Sequence, residues 1–265
     1  MKLSGFFLAL VLSGGHAAAQ HLNQTFQMTT CADFKWYGWK EFGDINEELL
    51  NEDGMLYGFG LIPRVAFGDT KKFYLESETT VHFGKVDYDG FLQNQFGQRT
   101  PYSTKTVYRG FETAATAGYI FSLSDQFDLT PTVSFGYEYW KRDLDDGGPN
   151  GYDERYKALL VHIGIEGTIL LNRHIQFLSA VSMRIPVSIS ETIDLASRNQ
   201  GGPADISLSP GVSPRIRIGG GVSIYRVLIE VSFETWTLTK SDEDKGYHQP
   251  ESTRKIFFVR LGYTI

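Results

Sequence analysis

The residues best suited to acid–base chemistry are Asp87, Asp89 and His248. Asp87 and Asp89 are separated by one tyrosine, so they could form a carboxylate pair where a strand meets a loop, and His248 could act as a base. A hydrolytic site needs the base held against the acid, and no Asp-x-His sequence accompanies the pair. An acidic, solvated loop explains the pair more simply, so we assign no catalytic residue.

Metal and cofactor chemistry have a weak basis in this sequence. The acidic segment 143–147 could attract Ca²⁺, but it lacks the ligand spacing and the closing glutamate of an EF-hand loop. Cys31 is the single cysteine, which excludes an intramolecular disulfide. We expect no metal site and no cofactor.

Among the elements that would position any functional residue, the carboxyl-terminal segment 255–265 has the clearest pattern. Its apolar and mostly polar side chains alternate strictly, which is the period of a β-strand. A strand that reaches the last residue is expected to close a barrel against the first strand. The apolar face of this predicted closing strand consists of Phe257, Val259, Leu261, Tyr263 and Ile265.

The same alternation recurs along the chain and predicts ten strands. Long polar connections alternate with tight turns from one end of the chain to the other, as in transmembrane β-barrels with long extracellular loops and short periplasmic turns. The fold class is therefore all-β, a single antiparallel transmembrane barrel. The strands are predicted near residues 34–42, 55–67, 73–86, 107–123, 127–139, 159–169, 175–187, 215–224, 227–239 and 255–265.

Aromatic residues near the strand ends predict two membrane-interface rings. A soluble sandwich or lipocalin-like barrel would also alternate, but its apolar face would point inward. The predicted outer ring contains Trp39, Tyr57, Phe83, Tyr137 and Tyr139, and the inner ring contains Phe67, Phe73, Tyr119, Phe121, Phe127, Tyr225 and Tyr263.

The amino terminus predicts export. Residues 1–19 combine a basic start, an apolar run and a small-residue ending, which is typical of a cleavable signal peptide. We expect residues 20–33 to form a periplasmic lead and residues 34–265 to form one barrel domain. The net charge of −6 gives no reason to expect a nucleic-acid partner.

The terminal strand, with its Tyr-x-apolar ending, resembles the assembly signal of Gram-negative outer-membrane β-barrels, and Ile265 stands where that family more often has Phe or Trp. The whole architecture resembles the small OmpA/OmpX/opacity-type barrels. This resemblance implies a monomer in the bacterial outer membrane that contacts membrane lipid and lipopolysaccharide. It also implies insertion by the barrel-assembly machinery and a structural or surface-interaction role, with porins as the conducting relatives.

Three enzymatic alternatives remain open beside that role. Omptin proteases also have ten strands with aspartate pairs at the outer rim, which Asp87 and Asp89 resemble, but His248 lacks its Asp-x-His context. Outer-membrane phospholipases and lipid A deacylases use a Ser–His pair on the lipid-facing wall, whereas His82 and His162 have inward parity. A palmitoyltransferase-like barrel would place its catalytic groups in loops, where His248 and the Asp residues are available, but no spacing supports such a site.

The inward face predicts cross-strand ion pairs. The tight turns set registers in which Arg64 faces Glu76 and Arg217 faces Glu234. Such pairs favour an interior closed by ion pairs, since small barrels are nearly filled by side chains. A narrow pore for ions or small solutes is the alternative. The other inward charges assigned to the lumen are Arg215, Arg260, Glu112 and Glu138.

Overall fold

Ten long antiparallel strands form a closed barrel in the computed structural model, which describes residues 25–93, 99–147, 151–196 and 205–265. The predicted signal peptide and residues 20–24 of the predicted lead lie outside these residues. The long strands are β1 (Phe26–Phe42), β2 (Glu48–Phe67), β3 (Phe73–Gln93), β4 (Arg99–Tyr119), β6 (Phe127–Asp143), β7 (Asp153–Asn172), β8 (Ile175–Asp194), β11 (Arg215–Ile224), β12 (Val227–Ser241) and β13 (Glu251–Thr264).

Three short strands extend this sheet at its margins. They are β5 (Phe121–Ser122), which pairs with β6, β9 (Ile206–Leu208), which pairs with β8, and β10 (Pro210–Val212), which pairs with β12. A 3₁₀ turn, Leu144–Gly147, follows β6. Within the described residues, no helix is long and apolar enough to cross a membrane.

The barrel closes where β13 pairs with β1, as the terminal alternation predicted. The register runs from Thr29 opposite Thr264 to Phe42 opposite Glu251. The amide of Ile265 also donates to the carbonyl of Met28 at 2.8 Å. Because every long strand then has two neighbours, the sheet leaves no long edge exposed. The predicted fold class, a closed ten-stranded antiparallel barrel, is confirmed.

Because successive side chains of a strand point to opposite faces, apolar residues lie on the outside of the barrel and a different set of residues lies in the lumen. On β6, Val133 and Phe135 face outward and are 52% and 56% exposed, whereas Glu138 and Trp140 face the lumen and are each 3% exposed. The barrel is therefore apolar where a soluble protein would be polar, and its packed core lies inside the cylinder.

The two ends of the barrel differ in their connections. We call the end where β1 begins, β13 ends and the tight connections lie the turn end, and the opposite end the loop end. Between β11 and β12 the turn is two residues long, with Ile224 opposite Val227, and Tyr225 has a φ of 56°. Gly68, in the turn after β2, has a φ of 78°, a conformation that glycine adopts without steric cost.

The first strand begins earlier than predicted. β1 starts at Phe26 rather than near residue 34, so the last part of the predicted lead belongs to the barrel wall. The outward residues of this stretch, Met28, Thr30 and Ala32, include a polar and a small one, so the apolar alternation typical of the other strands is weak here. Its ladder with β2 nevertheless continues to Phe26 opposite Val65.

The predicted position of Trp39 in the outer aromatic ring is wrong. Trp39 is 0% exposed inside the lumen, whereas Trp36 faces outward and packs against Phe257 with ring centroids 5.4 Å apart. Aromatic residues occupy both faces of this strand, so their pattern alone does not give the parity. The register with β13, which places Trp36 opposite Phe257, does.

Candidate functional site

Four aromatic side chains meet inside the barrel near the loop end. Trp39, Trp140, Tyr156 and Trp236 extend from four different strands and are all buried. Trp140 and Tyr156 stack at 4.8 Å, and Trp39 meets Trp236 edge to face at 6.4 Å. Contacts across the barrel axis fill the lumen at this level. With these four, Tyr37, Leu56, Tyr108, Leu160 and Leu238 form what we call the loop-half core.

Arginine side chains pack on these rings from the turn side. The guanidinium of Arg215 lies 3.5 Å from the ring centroid of Trp236, and that of Arg254 lies 4.3 Å from the same ring. Cation–π contacts of desolvated groups contribute about 2 kcal/mol each. The arginines therefore join the loop-half core to the charged groups beneath it.

Those charged groups form a layer that crosses the lumen. Arg215 donates to both carboxylate oxygens of Glu138, at 2.7 and 2.9 Å. Glu234 lies 3.1 Å from Arg184 and 3.5 Å from Arg254. These five residues are buried, so loss of one partner leaves an uncompensated charge in a low-dielectric interior. With Lys35 and Glu112, which pair at 3.2 Å, these residues form what we call the central ion-pair layer.

An acidic cluster covers the loop-half core on its other side. Arg142 ion-pairs with Glu154, lies 3.2 Å from Glu52 and 3.5 Å from Glu41, and is 1% exposed. Glu154 lies beyond the outer aromatic ring, because Lys157, three residues toward the turn end, is opposite Tyr139 of that ring. Burial raises the pKa of Glu154 to about 7, although Arg142 opposes the shift. Glu154 therefore keeps its proton to a higher pH than an isolated glutamate would.

The turn half of the lumen is open by contrast. A cavity of about 380 Å³ reaches from the turn end to the central ion-pair layer. Small and hydroxyl-bearing residues line much of it, among them Thr116, Ser134, Gly164, Ser182 and Gly219. A cavity of this volume holds several water molecules.

Ion pairs line the wall of this cavity without crossing it. Arg64 pairs with Glu76 at 2.7 Å, and its guanidinium lies 4.1 Å from the ring centroid of Tyr74. Arg260 pairs with Asp33 at 2.9 Å and with Glu78 at 2.5 Å. These groups come from neighbouring or nearby strands, which leaves the axis of the barrel free.

The two registers predicted from the tight turns are present in the structure, but one of the two pairs differs in its side-chain contacts. Arg64 is opposite Glu76, and Arg217 is opposite Glu234. The side chain of Arg217 nevertheless turns toward the turn end, where it lies 3.4 Å from Glu230. Glu234 instead contacts three arginines, Arg184, Arg215 and Arg254. Glu112 and Glu138 are directly opposed, and cations of the central ion-pair layer separate them.

Sequence reasoning missed the aromatic residues of the loop-half core. Trp236 occupies the inward position two residues after Glu234, and Trp140 occupies the one two residues after Glu138. Continuing the inward parity beyond the lipid-facing stretch would have identified both. The predicted aromatic rings include only residues of the apolar, outward face.

The predicted acid–base candidates are not assembled into a site. Asp87 and Asp89 face outward, where Asp87 pairs with Lys105 at 2.6 Å and Asp89 accepts a hydrogen bond from Ser103 at 2.5 Å. His248 lies exposed in the connection before β13. His82 and His162 line the lumen. In the described parts of the chain, no group of three or more His, Cys, Asp or Glu residues could hold a metal ion.

No family model and no curated protein sequence matches this chain. Among solved structures, the outer membrane protease OmpT from Escherichia coli superposes with a TM-score of 0.58 and 10% identity, over 91% of this chain and 96% of that one. A deletion mutant of the TodX monoaromatic hydrocarbon channel gives 0.43 and 8%, covering 93% and 92%. The β domain of the Bordetella autotransporter BrkA gives 0.42 and 11%, covering 90% and 99%.

The likeness to OmpT extends over almost the whole of both chains, and it shows the fold alone at this identity. This protein has the fold of the outer-membrane β-barrel proteins, as the terminal strand and the alternation predicted. One fold supports many unrelated activities, so this likeness does not select one.

Proposed function

We propose that this protein is an outer-membrane barrel with a structural or surface-interaction role, whose lumen is closed at the loop half. The observation that carries this proposal is the loop-half core resting on the central ion-pair layer. Trp39, Tyr156 and Arg215 are each 0% exposed there, which supports a lumen without a water path at this level. A closed lumen leaves the loops as the part of the molecule that can meet external partners.

The outer surface supports the membrane location. Large apolar side chains that would be unfavourable in water cover the outside of the strands, for example Phe59, Phe135 and Ile165, each more than half exposed. They form a band between the aromatic residues of the two ends, which suits the hydrocarbon layer of a bilayer. The loop end would then face the outside of the cell and the turn end the periplasm.

Conductance of the refolded mature protein in a planar bilayer tests the closed lumen. We expect no reproducible channel steps from barrels shown to be folded by their altered gel mobility without heating. Trp39→Ala combined with Trp236→Ala should open the lumen and give measurable steps. The matched control is Tyr74→Ala, which removes a buried aromatic residue from the turn half and should stay silent. Regular steps from the unaltered protein would overturn the proposal.

A narrow pore is the second candidate function, and the cavity of the turn half favours it. In that case the steps of the unaltered protein would change their ion selectivity on Arg217→Glu, because Arg217 lines the cavity. If Arg217→Glu left the ion selectivity of the steps unchanged, the ions would not pass through the lumen. The same bilayer experiment therefore separates the two candidates.

A protease activity is the third candidate, and it rests on the fold likeness to OmpT. Asp87 and Asp89 bind Lys105 and Ser103 on the outer surface rather than a histidine. We expect no cleavage of a mixed peptide library by the refolded barrel. Cleavage that Asp87→Asn or Asp89→Asn abolishes, with the barrel intact, would favour the protease.

A further inference from the structure

The cavity of the turn half has the dimensions of a small-molecule site. It reaches from the turn end, where Ser223 and Thr264 line it, to the central ion-pair layer. Its volume of about 380 Å³ falls within the roughly 300–1,000 Å³ of small-molecule pockets. With the loop half closed as proposed, a molecule that enters from the turn end must leave by the same end. The cavity therefore suits a bound ligand better than a transported one.

The arginines that line the cavity on the turn side of the central ion-pair layer all have carboxylate partners. The three pairs are Arg64 with Glu76, Arg217 with Glu230, and Arg260 with Glu78. An anionic ligand would have to displace a carboxylate of the protein before it could contact a guanidinium. The arginines therefore do not favour an anion in this cavity.

Two further carboxylates of the cavity wall have no such partner. Asp128 on β6 and Glu166 on β7 line the cavity, and neither forms an ion pair with a residue that the structure describes. Arg64 is the cation nearest in effect to Glu166, but Glu76 already holds its guanidinium at 2.7 Å. This side of the cavity thus has an excess of negative charge, and such a surface attracts cations.

The two carboxylates are close enough to contact one ligand. Asp128 is opposite Thr168, and Glu166 is opposite Thr130, so the two are diagonal neighbours about 7–8 Å apart. Tyr74 lines the same cavity near Glu166 and is 2% exposed, and its hydroxyl makes no hydrogen bond of normal geometry within the described residues. Buried hydroxyls usually have a partner, so this one indicates a missing hydrogen-bonding group.

We propose that this wall of the cavity binds a small organic cation, with ammonium groups on a short carbon chain, that enters from the periplasm. An ammonium group donates several hydrogen bonds, which the carboxylate of Glu166 and the hydroxyls of Tyr74 and Thr130 can accept. A second ammonium group on the same chain can contact Asp128. This inference rests on the orientation given in the proposed function, with the turn end in the periplasm, and adds a ligand class to it.

A metal ion fits this wall less well than an organic cation. Among the described residues, no third His, Cys, Asp or Glu joins Asp128 and Glu166 as a metal ligand. The cavity is also far larger than a single ion. A chain of several carbon atoms between two ammonium groups uses both the space and the two carboxylates.

Calorimetric titration of the detergent-folded barrel with putrescine, a short diamine, tests the assignment, and we expect saturable binding. Asp128→Asn combined with Glu166→Gln should weaken this binding about tenfold or more, because two charge-assisted contacts are lost. The matched control, Asp242→Asn combined with Glu243→Gln, removes the same two residue types from an exposed connection at the loop end. It should leave binding within about twofold, because salt screens such distant charges. Equal effects of the two variants would overturn the assignment.

An anionic analogue of similar length tests the sign of the charge. Succinate carries carboxylates in place of the ammonium groups, so it should bind at least about tenfold more weakly than putrescine. Succinate that binds as tightly as putrescine would overturn the assignment. No saturable binding of putrescine by a folded barrel would show that water alone solvates Asp128 and Glu166, and it would overturn the assignment as well.

The bilayer experiment separates the failure of this inference from the failure of the proposed function. The gel mobility of unheated samples reports the folding of every variant. A barrel that gives channel steps and still binds putrescine through the two carboxylates would overturn the closed lumen and support the cation site. A silent, folded barrel that does not bind putrescine would overturn the cation site and leave the proposed function standing.

Discussion

The two halves of the lumen share one set of strands and differ in their contents. The loop half is filled by tryptophan, tyrosine and arginine side chains that meet across the axis, whereas the turn half has a cavity of about 380 Å³ lined largely by small and hydroxyl-bearing residues. Strand number sets the circumference of a barrel. This comparison shows that the size of the inward side chains decides whether a lumen of that circumference is filled or open.

Removal of the closing strand should prevent both halves of the lumen from forming. Deletion of residues 257–265 takes most of β13 from between β12 and β1. The lumen would then lose its wall, and we expect no protease-protected barrel in the outer membrane. Ile265→Asp should also impair assembly, because it adds a charge to the outward face. A protected, heat-modifiable barrel after the deletion would refute the closure argument.

The central ion-pair layer should be far more sensitive to truncation than the cavity wall. Glu138→Ala leaves Arg215 and Arg254 without one of their carboxylates and should lower the free energy of unfolding by about 4 kcal/mol. Glu76→Ala removes a carboxylate beside the water-accessible cavity and should cost about 1 kcal/mol. Urea unfolding in lipid vesicles measures both values. Equal losses would show that the two halves are solvated alike.

Truncation of the aromatic packing should lower the free energy of unfolding slightly less than truncation of a buried charge. Trp236→Ala removes a ring that contacts Trp39, Trp140 and two arginines, so we expect about 3 kcal/mol of destabilisation. Trp36→Ala is the matched control, because that ring lies on the outside and is 48% exposed. Its truncation should cost about 1 kcal/mol. Urea unfolding in vesicles would contradict the filled loop half if Trp36→Ala were the more costly change.

The acidic cluster should make the stability of the loop half depend on pH. The pKa of Glu154 rises from 4.5 to about 7 in the folded barrel, so the folded state keeps a proton that the unfolded chain loses. Its contribution is fully present below pH 4.5 and is lost as the pH rises through about 7, by on the order of 3 kcal/mol.

Unfolding measured across that pH range checks this expectation. Glu154→Gln should flatten the dependence, because the amide stays neutral, whereas Glu48→Gln at an exposed ion pair should leave it unchanged. A stability that rises with pH in the unaltered protein would contradict the sign.

The sequence predicted the wall of the barrel better than its contents. Lipid requires apolar side chains at every second position, so alternation revealed the strands, and the tight turn at Tyr225 set the register of β11 and β12. Contacts across the lumen follow no such rule. Arg215 and Glu138 are 77 residues apart in sequence and come from strands that are not neighbours.

Local pairing rules fail for the same reason at Arg217. Its register partner, Glu234, is surrounded by three other arginines, and the long side chain of Arg217 turns to Glu230 instead. A long side chain in a narrow cylinder can choose among several strands. Its partner therefore depends on the whole lumen and not on the adjacent residue.

The length of the strands has a consequence for how the loops meet other molecules. A bilayer crossing needs about 9–11 residues, and β3 has 21, of which ten follow Phe83 of the outer aromatic ring. Under the proposed membrane location and at the usual tilt, this excess would raise the loop end roughly 20–25 Å above the lipid surface. This part of the barrel, whose interior is filled by the loop-half core and the acidic cluster, would then be a pedestal that carries the connections of the loop end away from the membrane.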